Sequence, residues 1–258
     1  MKAATWNVNS LRVRLPHVLK WLERERPDVL ALQETKIKDE EFPADAFERY
    51  GYAAVFSGQA AYNGVAILSR EPADAASLGL GNGYTDEQRR LIAATIGGIR
   101  LFCLYVPNGQ SVDSDKYRYK LEWLAALRAL LADELARYPE LLVVGDFNIA
   151  PDDRDVHDPS AWDGKIMCSQ AEREALEALR ALGLHDTFRL FPQPEKVFSW
   201  WDYRAGAYGR NQGLRIDLAL ASESLSRACI SARIDTEPRG WERPSDHVPV
   251  IAEFRARR

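Results

Sequence analysis

Cysteine is scarce in this chain and widely scattered: Cys103, Cys168 and Cys229 form no Cys-x-x-Cys pair. An odd number without close spacing argues against a disulfide framework and against a structural zinc site. Histidine is nearly as rare, four in 258 residues, so an imidazole-rich metal centre is a poor fit. No apolar run approaches the ~20 residues of a membrane-spanning helix. The opening residues, MKAATWNVNS, lack the apolar stretch of a secretory signal. A reducing cytoplasm is the expected compartment. Excess positive charge is missing too. The net charge is −4, so any grip on nucleic acid has to come from a local basic patch. Repeats, low-complexity tracts and flexible linkers are absent, and residues 1–258 are expected to form one domain.

What is present is an alternation of short apolar runs and a few long amphipathic segments. Lys2 to Val8 reads as a first strand. Ser10 is placed to cap a helix from Leu11 to Glu25, with Leu11, Leu15, Leu19 and Leu22 on one face. Further strands are expected over 28–33, 52–57 and 64–69, and 91–96 with 100–106 reads as a hairpin through Gly97-Gly98. A long helix is expected over 115–138, with Leu121, Leu124, Leu127, Leu131 and Leu135 at helical spacing. Another runs over 169–182, with Gly183 as its C-terminal cap. The remainder is β-rich, at 197–201, 214–221, 228–235 and 248–254. Strands and helices do not alternate strictly. That excludes a barrel of repeating βα units and favours two packed sheets with helices outside, a layered α/β sandwich.

The strand ends are unusual. LLVVGDFN runs from buried-looking Leu141 to Asp146 and Asn148. In an extended segment those two polar side chains share one face while Phe147 takes the other. Trp6-Asn7, Glu34, Tyr105 with Pro107-Asn108, Asp217 within LRIDLAL, and Ser245-Asp246-His247 repeat the pattern. Gathered at one rim, these residues form a set of carboxylates and amides with one phenol and one imidazole. Such oxygens are hard ligands that suit Mg²⁺ or Mn²⁺. A carboxylate–imidazole pair can polarise water, and an amide and a phenol can donate to an oxygen that gains charge. Together they suggest metal-assisted hydrolysis of a phosphoester.

TWNVN, LQETK, NGVAILSR, GDFNIAP, GLRIDLALAS and PSDHVPV resemble the signatures of the endonuclease/exonuclease/phosphatase superfamily. With FSWWDYR added, the chain is most similar to the exonuclease III family of bacterial abasic-site endonucleases, in order from Trp6 to Phe254. The resemblance implies a four-layer α/β/β/α sandwich, two mainly antiparallel sheets flanked by helices (DNase I-like). It implies Glu34 as main metal ligand with Asn7 and Asp246 beside it, and a second metal position near Asp146, Asn148 and His247. Asp146 would activate water or assist the leaving oxygen, and Asn148 would hold the phosphate. Tyr105 would contact phosphate or leaving group, with Asn108 nearby. His247, oriented by Asp217, would bind the phosphate; a scheme with His247 as the base stays open. Trp200 and Leu214 would line a pocket for a flipped-out abasic sugar, too small for a full nucleotide.

The implied substrate is duplex DNA with abasic sites or damaged 3′ ends, cut by a monomer without membrane contact. Lys116 and Arg89 are candidates for gripping its phosphates, within a basic set that includes Arg12, Arg14, Lys36, Lys120 and Arg215. Met167, at the end of the polar loop 153–168, is expected at the pocket mouth, where its bulk would favour 3′-end trimming over internal incision. Two rivals are a phosphomonoesterase or lipid phosphodiesterase of the same superfamily, and a non-catalytic nucleic-acid-binding relative. FSWWDYR and GLRIDLAL speak against the first, and the full set of acidic residues against the second.

Overall fold

The computed structural model describes residues 1–81 and 83–255. The strands, numbered in chain order, are β1 (Lys2–Asn7), β2 (Val29–Gln33), β3 (Ala53–Ser57), β4 (Val65–Ser69), β5 (Asp74–Leu78) and β6 (Leu91–Ile96). They continue with β7 (Ile99–Tyr105), β8 (Leu141–Asp146), β9 (Leu184–Asp186), β10 (Asp217–Ser222), β11 (Cys229–Ile234) and β12 (Val250–Phe254). The helices are α1 (Leu11–Glu25), α2 (Ala44–Glu48), α3 (Asp115–Arg137), α4 (Pro159–Trp162), α5 (Gln170–Arg180) and α6 (Glu223–Ala228).

Two six-stranded sheets result, in the orders β11-β12-β1-β2-β4-β3 and β5-β6-β7-β8-β10-β9. In each, one central pair is parallel, β1 with β2 and β7 with β8, and the other pairings are antiparallel. A parallel pair needs a crossover, and α1 and α3 supply one each.

The period of two in the strands decides the layers. Ala3, Val29, Ala31 and Ile67 of one sheet meet Ile92, Leu101, Leu142 and Val144 of the other in a shared core. Their alternates Ala4, Trp6, Leu30 and Leu32 pack under Leu11, Val18, Trp21 and Leu22 of α1. On the far side Phe102, Leu104, Leu141 and Val143 pack under Trp123, Leu124, Leu127 and Leu131 of α3 and Leu176 and Leu179 of α5. The strands are buried on both faces, which is why they read as continuous apolar runs. The expected four-layer, mainly antiparallel sandwich is the one observed. No helix among the described residues is long and apolar enough to cross a membrane.

Some local expectations need correction. Ser10 makes no side-chain cap bond; it has φ 92, and its N–H is donated to the Glu34 carbonyl at 2.8 Å instead. Residues 197–201 form no regular strand. They contribute isolated bridges, Trp200 to Leu214 and Trp200 to His247, because Phe198 and Trp201 turn into a small separate cluster with Val248. Strand β5 was not expected, since its residues are exposed throughout and carry no apolar alternation.

Candidate active site

Parallel strands end, and antiparallel strands begin, at the same edge of a sandwich. Asn7 ends β1, Tyr105 ends β7, Asp146 ends β8 and Asp217 begins β10. Asp146 pairs in register with Tyr105 on one side and Asp217 on the other. Across the sheets, Asn7 Nδ2 donates to Glu34 Oε1 at 2.8 Å and to Asp146 Oδ2 at 2.9 Å. Glu34, Asp146 and His247 each offer a ligand atom within 4.8 Å of the others. Residues from both sheets therefore share one small volume.

Three of these positions hold left-handed backbone without being glycine: Glu34 at φ 51, Lys36 at φ 53 and Asn148 at φ 50. Such conformations are uncommon for non-glycine residues and gather where a side chain must be aimed. Asn148 turns back so that its N–H is donated to Asp146 Oδ1 at 2.8 Å, while Phe147 is buried under α3. Its amide is held at both ends, Nδ2 on the Val106 carbonyl at 3.0 Å and Oδ1 accepting from Asn108 Nδ2 at 3.0 Å.

His247 Nδ1 lies 2.9 Å from Asp217 Oδ2, and its Nε2 lies 3.7 Å from Asp146 Oδ2. Burial disfavours the charged ring, but the Asp217 and Asp146 charges and the hydrogen bond to Asp217 outweigh it and push His247 up to about 10. Burial raises Asp146 above the usual carboxylate range; the His247 charge opposes this, and the Asp217 and Glu34 charges add to it. Tyr105 is raised well above its ordinary value by burial and then by the Glu34 and Asp146 charges, so its hydroxyl remains a donor. Arg90 lies over the Tyr105 ring, 4.7 Å from its centroid.

The donor set fits a hard divalent cation: two carboxylates, half-buried Glu34 and buried Asp146, whose charges raise their neighbours, with the His247 ring beside them. Asp246 stands to one side, its carboxylate taking Asn9 Nδ2 at 3.0 Å and Trp200 Nε1 at 3.0 Å. Asn7 faces the carboxylates with its NH₂ end, while its Oδ1 accepts from the Asn9 N–H at 2.9 Å. It brackets two acids as a donor; serving as a ligand would require its amide to turn over.

Two residues in this network escaped the sequence reading. Asn9 joins Asp246 to Lys36, whose Nζ lies 2.8 Å from Glu34 Oε2. Ser199 donates to Asp217 Oδ2 at 2.6 Å and accepts from the Asp217 N–H at 3.1 Å. The one available signal for Ser199 was a small hydroxyl between Phe198 and Trp200.

The basic set divides. Lys120 and Arg215 are wholly buried in ion pairs and form no part of a rim. Lys120 pairs with Glu172, and Arg215 lies between Asp155 and Asp186. Lys116 lines a cleft of about 840 Å³ beside Tyr105 and Asn108, with Tyr62, Gln88 and Arg90. Arg89 is exposed and outside that lining; Arg90 takes the inward position. Leu214 is fully buried, and Met167 is 8% exposed. Both belong to one apolar cluster, against which Trp200, Ile166 and Trp162 pack.

The sequence profile of the endonuclease/exonuclease/phosphatase family matches residues 4–247. Exodeoxyribonuclease III of Haemophilus influenzae is 36% identical, over 99% of this chain and 100% of that protein. A 3′ phosphatase from Neisseria, solved bound to a product DNA hairpin, superposes with a TM-score of 0.97 at 46% identity, covering 99% of this chain and 100% of that one. An AP endonuclease from Archaeoglobus fulgidus superposes at 0.95 with 40% identity, covering 99% and 100%.

Proposed function

Because this chain belongs to the endonuclease/exonuclease/phosphatase family, we propose that it is a Mg²⁺-dependent DNA-repair phosphodiesterase. It incises 5′ to abasic sites and processes 3′ ends, removing phosphates or nucleotides from duplex DNA as a cytoplasmic monomer. The three free cysteines are in keeping with a reducing compartment.

The observation that carries the reading is the convergence of Glu34, Asp146 and His247 within 4.8 Å, with Asn148 and Tyr105 beside them. Glu34 and Asp146 would hold the cation, and Asn7 and Asp246 would support it. When bound, the cation supplies a Lewis acid for a phosphate oxygen. Asp146 takes the proton of the attacking water. His247 is a poor base, because Asp217 keeps its ring cationic; it holds a phosphate oxygen instead. The Asn148 amide and the Tyr105 hydroxyl donate where charge develops. Lys116 and Arg90 offer charge to the DNA backbone along the adjoining cleft.

The test is a panel of labelled duplexes with Mg²⁺: an internal abasic site, a 3′-phosphate, a recessed undamaged end and an RNA strand. Mg²⁺-dependent cleavage of the first three is expected. Cleavage that persists in chelator, or in Asp146→Ala, would overturn the mechanism.

A further inference from the structure

We propose that the buried Lys120–Glu172 pair is a positioning device, which fixes from behind the two amides, Asn108 and Asn148, that face the phosphate. The proposal rests on the phosphodiesterase reading above and assigns a task to two residues that reach neither DNA nor metal.

Lys120 lies in the second turn of α3 and is 0% exposed. An ammonium has three protons to donate, and all three have acceptors: the Asn148 carbonyl at 2.7 Å, the Asn108 carbonyl at 3.2 Å and the Glu172 carboxylate. On the other side of the same two backbones, the Asn108 and Asn148 side chains bond each other at 3.0 Å. The cation is thus one residue's backbone away from both amides at once.

Glu172 extends the device to a third loop. It accepts from the Met167 N–H at 3.0 Å, the Ser169 N–H at 3.1 Å and the Ser169 hydroxyl at 2.7 Å. Tyr117, three residues before Lys120 on α3, brings its hydroxyl to 2.6 Å from Ser169 Oγ. Gly109 shows how tightly this closes: a Cβ there would meet Lys120 Cδ at 3.2 Å and Ile166 Cδ1 at 2.8 Å.

A buried ion pair rarely adds net stability over an apolar filler of equal volume. An apolar filler here would leave two inward carbonyls without donors, and the loops carrying Asn108 and Asn148 would shift to find others. A shift of about 1 Å at the reacting groups costs on the order of 100-fold in rate. The pair therefore serves geometry, and its loss is read in kcat.

The decisive variant is Lys120→Met/Glu172→Gln, which leaves no buried charge without a partner. Wild-type enzyme is assayed alongside on the duplex panel, so failure of the phosphodiesterase reading is seen there and not in the variant. The fraction of binding-competent molecules is counted by stoichiometric titration with a product duplex, since a merely structural role lowers that fraction and not the turnover per competent molecule. The expected result is a KM within about threefold of wild type and a kcat per competent molecule lower by at least about thirtyfold. A kcat per competent molecule within about twofold of wild type overturns the proposal. If the double variant does not fold, Ser169→Ala decides, because it loosens Glu172 while both charges stay paired. Its kcat is expected to fall about three- to tenfold at unchanged KM, and an unchanged kcat overturns the proposal.

Discussion

His247 is where the local electrostatics make the sharpest statement. Its ring is buried between Asp217 and Asp146, and their charges hold its proton up to about 10. A raised histidine stabilises the fold fully below its ordinary value near 6.5, and that contribution is lost as pH rises through the folded value. Unfolding free energies of the wild type and His247→Gln, both in chelator, should therefore differ most near pH 6 and converge toward pH 10; a gap that widens with pH would contradict the assignment. Met167 makes a second claim at this scale. It sits at φ 70, which glycine adopts without strain, and its side chain packs in the cluster that contains Leu214 and adjoins Trp200. Met167→Gly should fold and open that niche. Incision at internal abasic sites relative to 3′-end trimming should rise at least about tenfold, and an unchanged ratio on paired substrates would refute the role. Which residues gather at this edge was legible from their places at strand ends. Their partners were not: Ser199 and Asn9 act through contacts with residues up to 237 positions distant.

At the scale of elements, the strands did the positioning. Gly145 lets β8 approach β7 so closely that a Cβ would stand 1.9 Å from the Leu104 carbonyl oxygen, at a φ of 149. That approach aligns Asp146 with Tyr105 in register. Gly145→Ala should destabilise the fold by about 3 kcal/mol or more, read as a lower denaturant midpoint, and should cost activity in the molecules that remain folded. An unfolding free energy within about 0.5 kcal/mol of wild type would show that the sheet can give. Helices with a regular apolar face were legible to within a residue or two, as at Leu11–Glu25 and Asp115–Arg137. Residues 197–201 were not. Their aromatic run has the composition of a strand, but Phe198 and Trp201 are drawn into a separate cluster and only bridges remain. The Ser10 cap failed for a related reason, since tertiary bonds to the Glu34 and Thr35 carbonyls set the entry to α1.

For the whole molecule, the acid-rich edge is a site where like charges are assembled against their own repulsion. A divalent cation that binds only the folded chain relieves this, and mass action then adds about 2.7 kcal/mol at a hundredfold excess over Kd. For a chain of this size that is roughly 5–10 °C in the unfolding midpoint. Mg²⁺ should raise the midpoint of chelator-treated protein by that order, and Glu34→Gln should abolish most of the rise; an equal rise in both proteins would place the cation elsewhere. The sequence by itself determined the layered sandwich and the residue types that meet at its edge, because a period of two, a period of 3.6 and the polar ends of apolar runs are local properties of the chain. Only the tertiary structure decided which charges meet. Lys120 and Arg215 looked like members of a DNA-gripping rim and are buried counter-ions instead. A side chain's charge is written in its residue type, but its partner is chosen by which distant segments the fold brings against it.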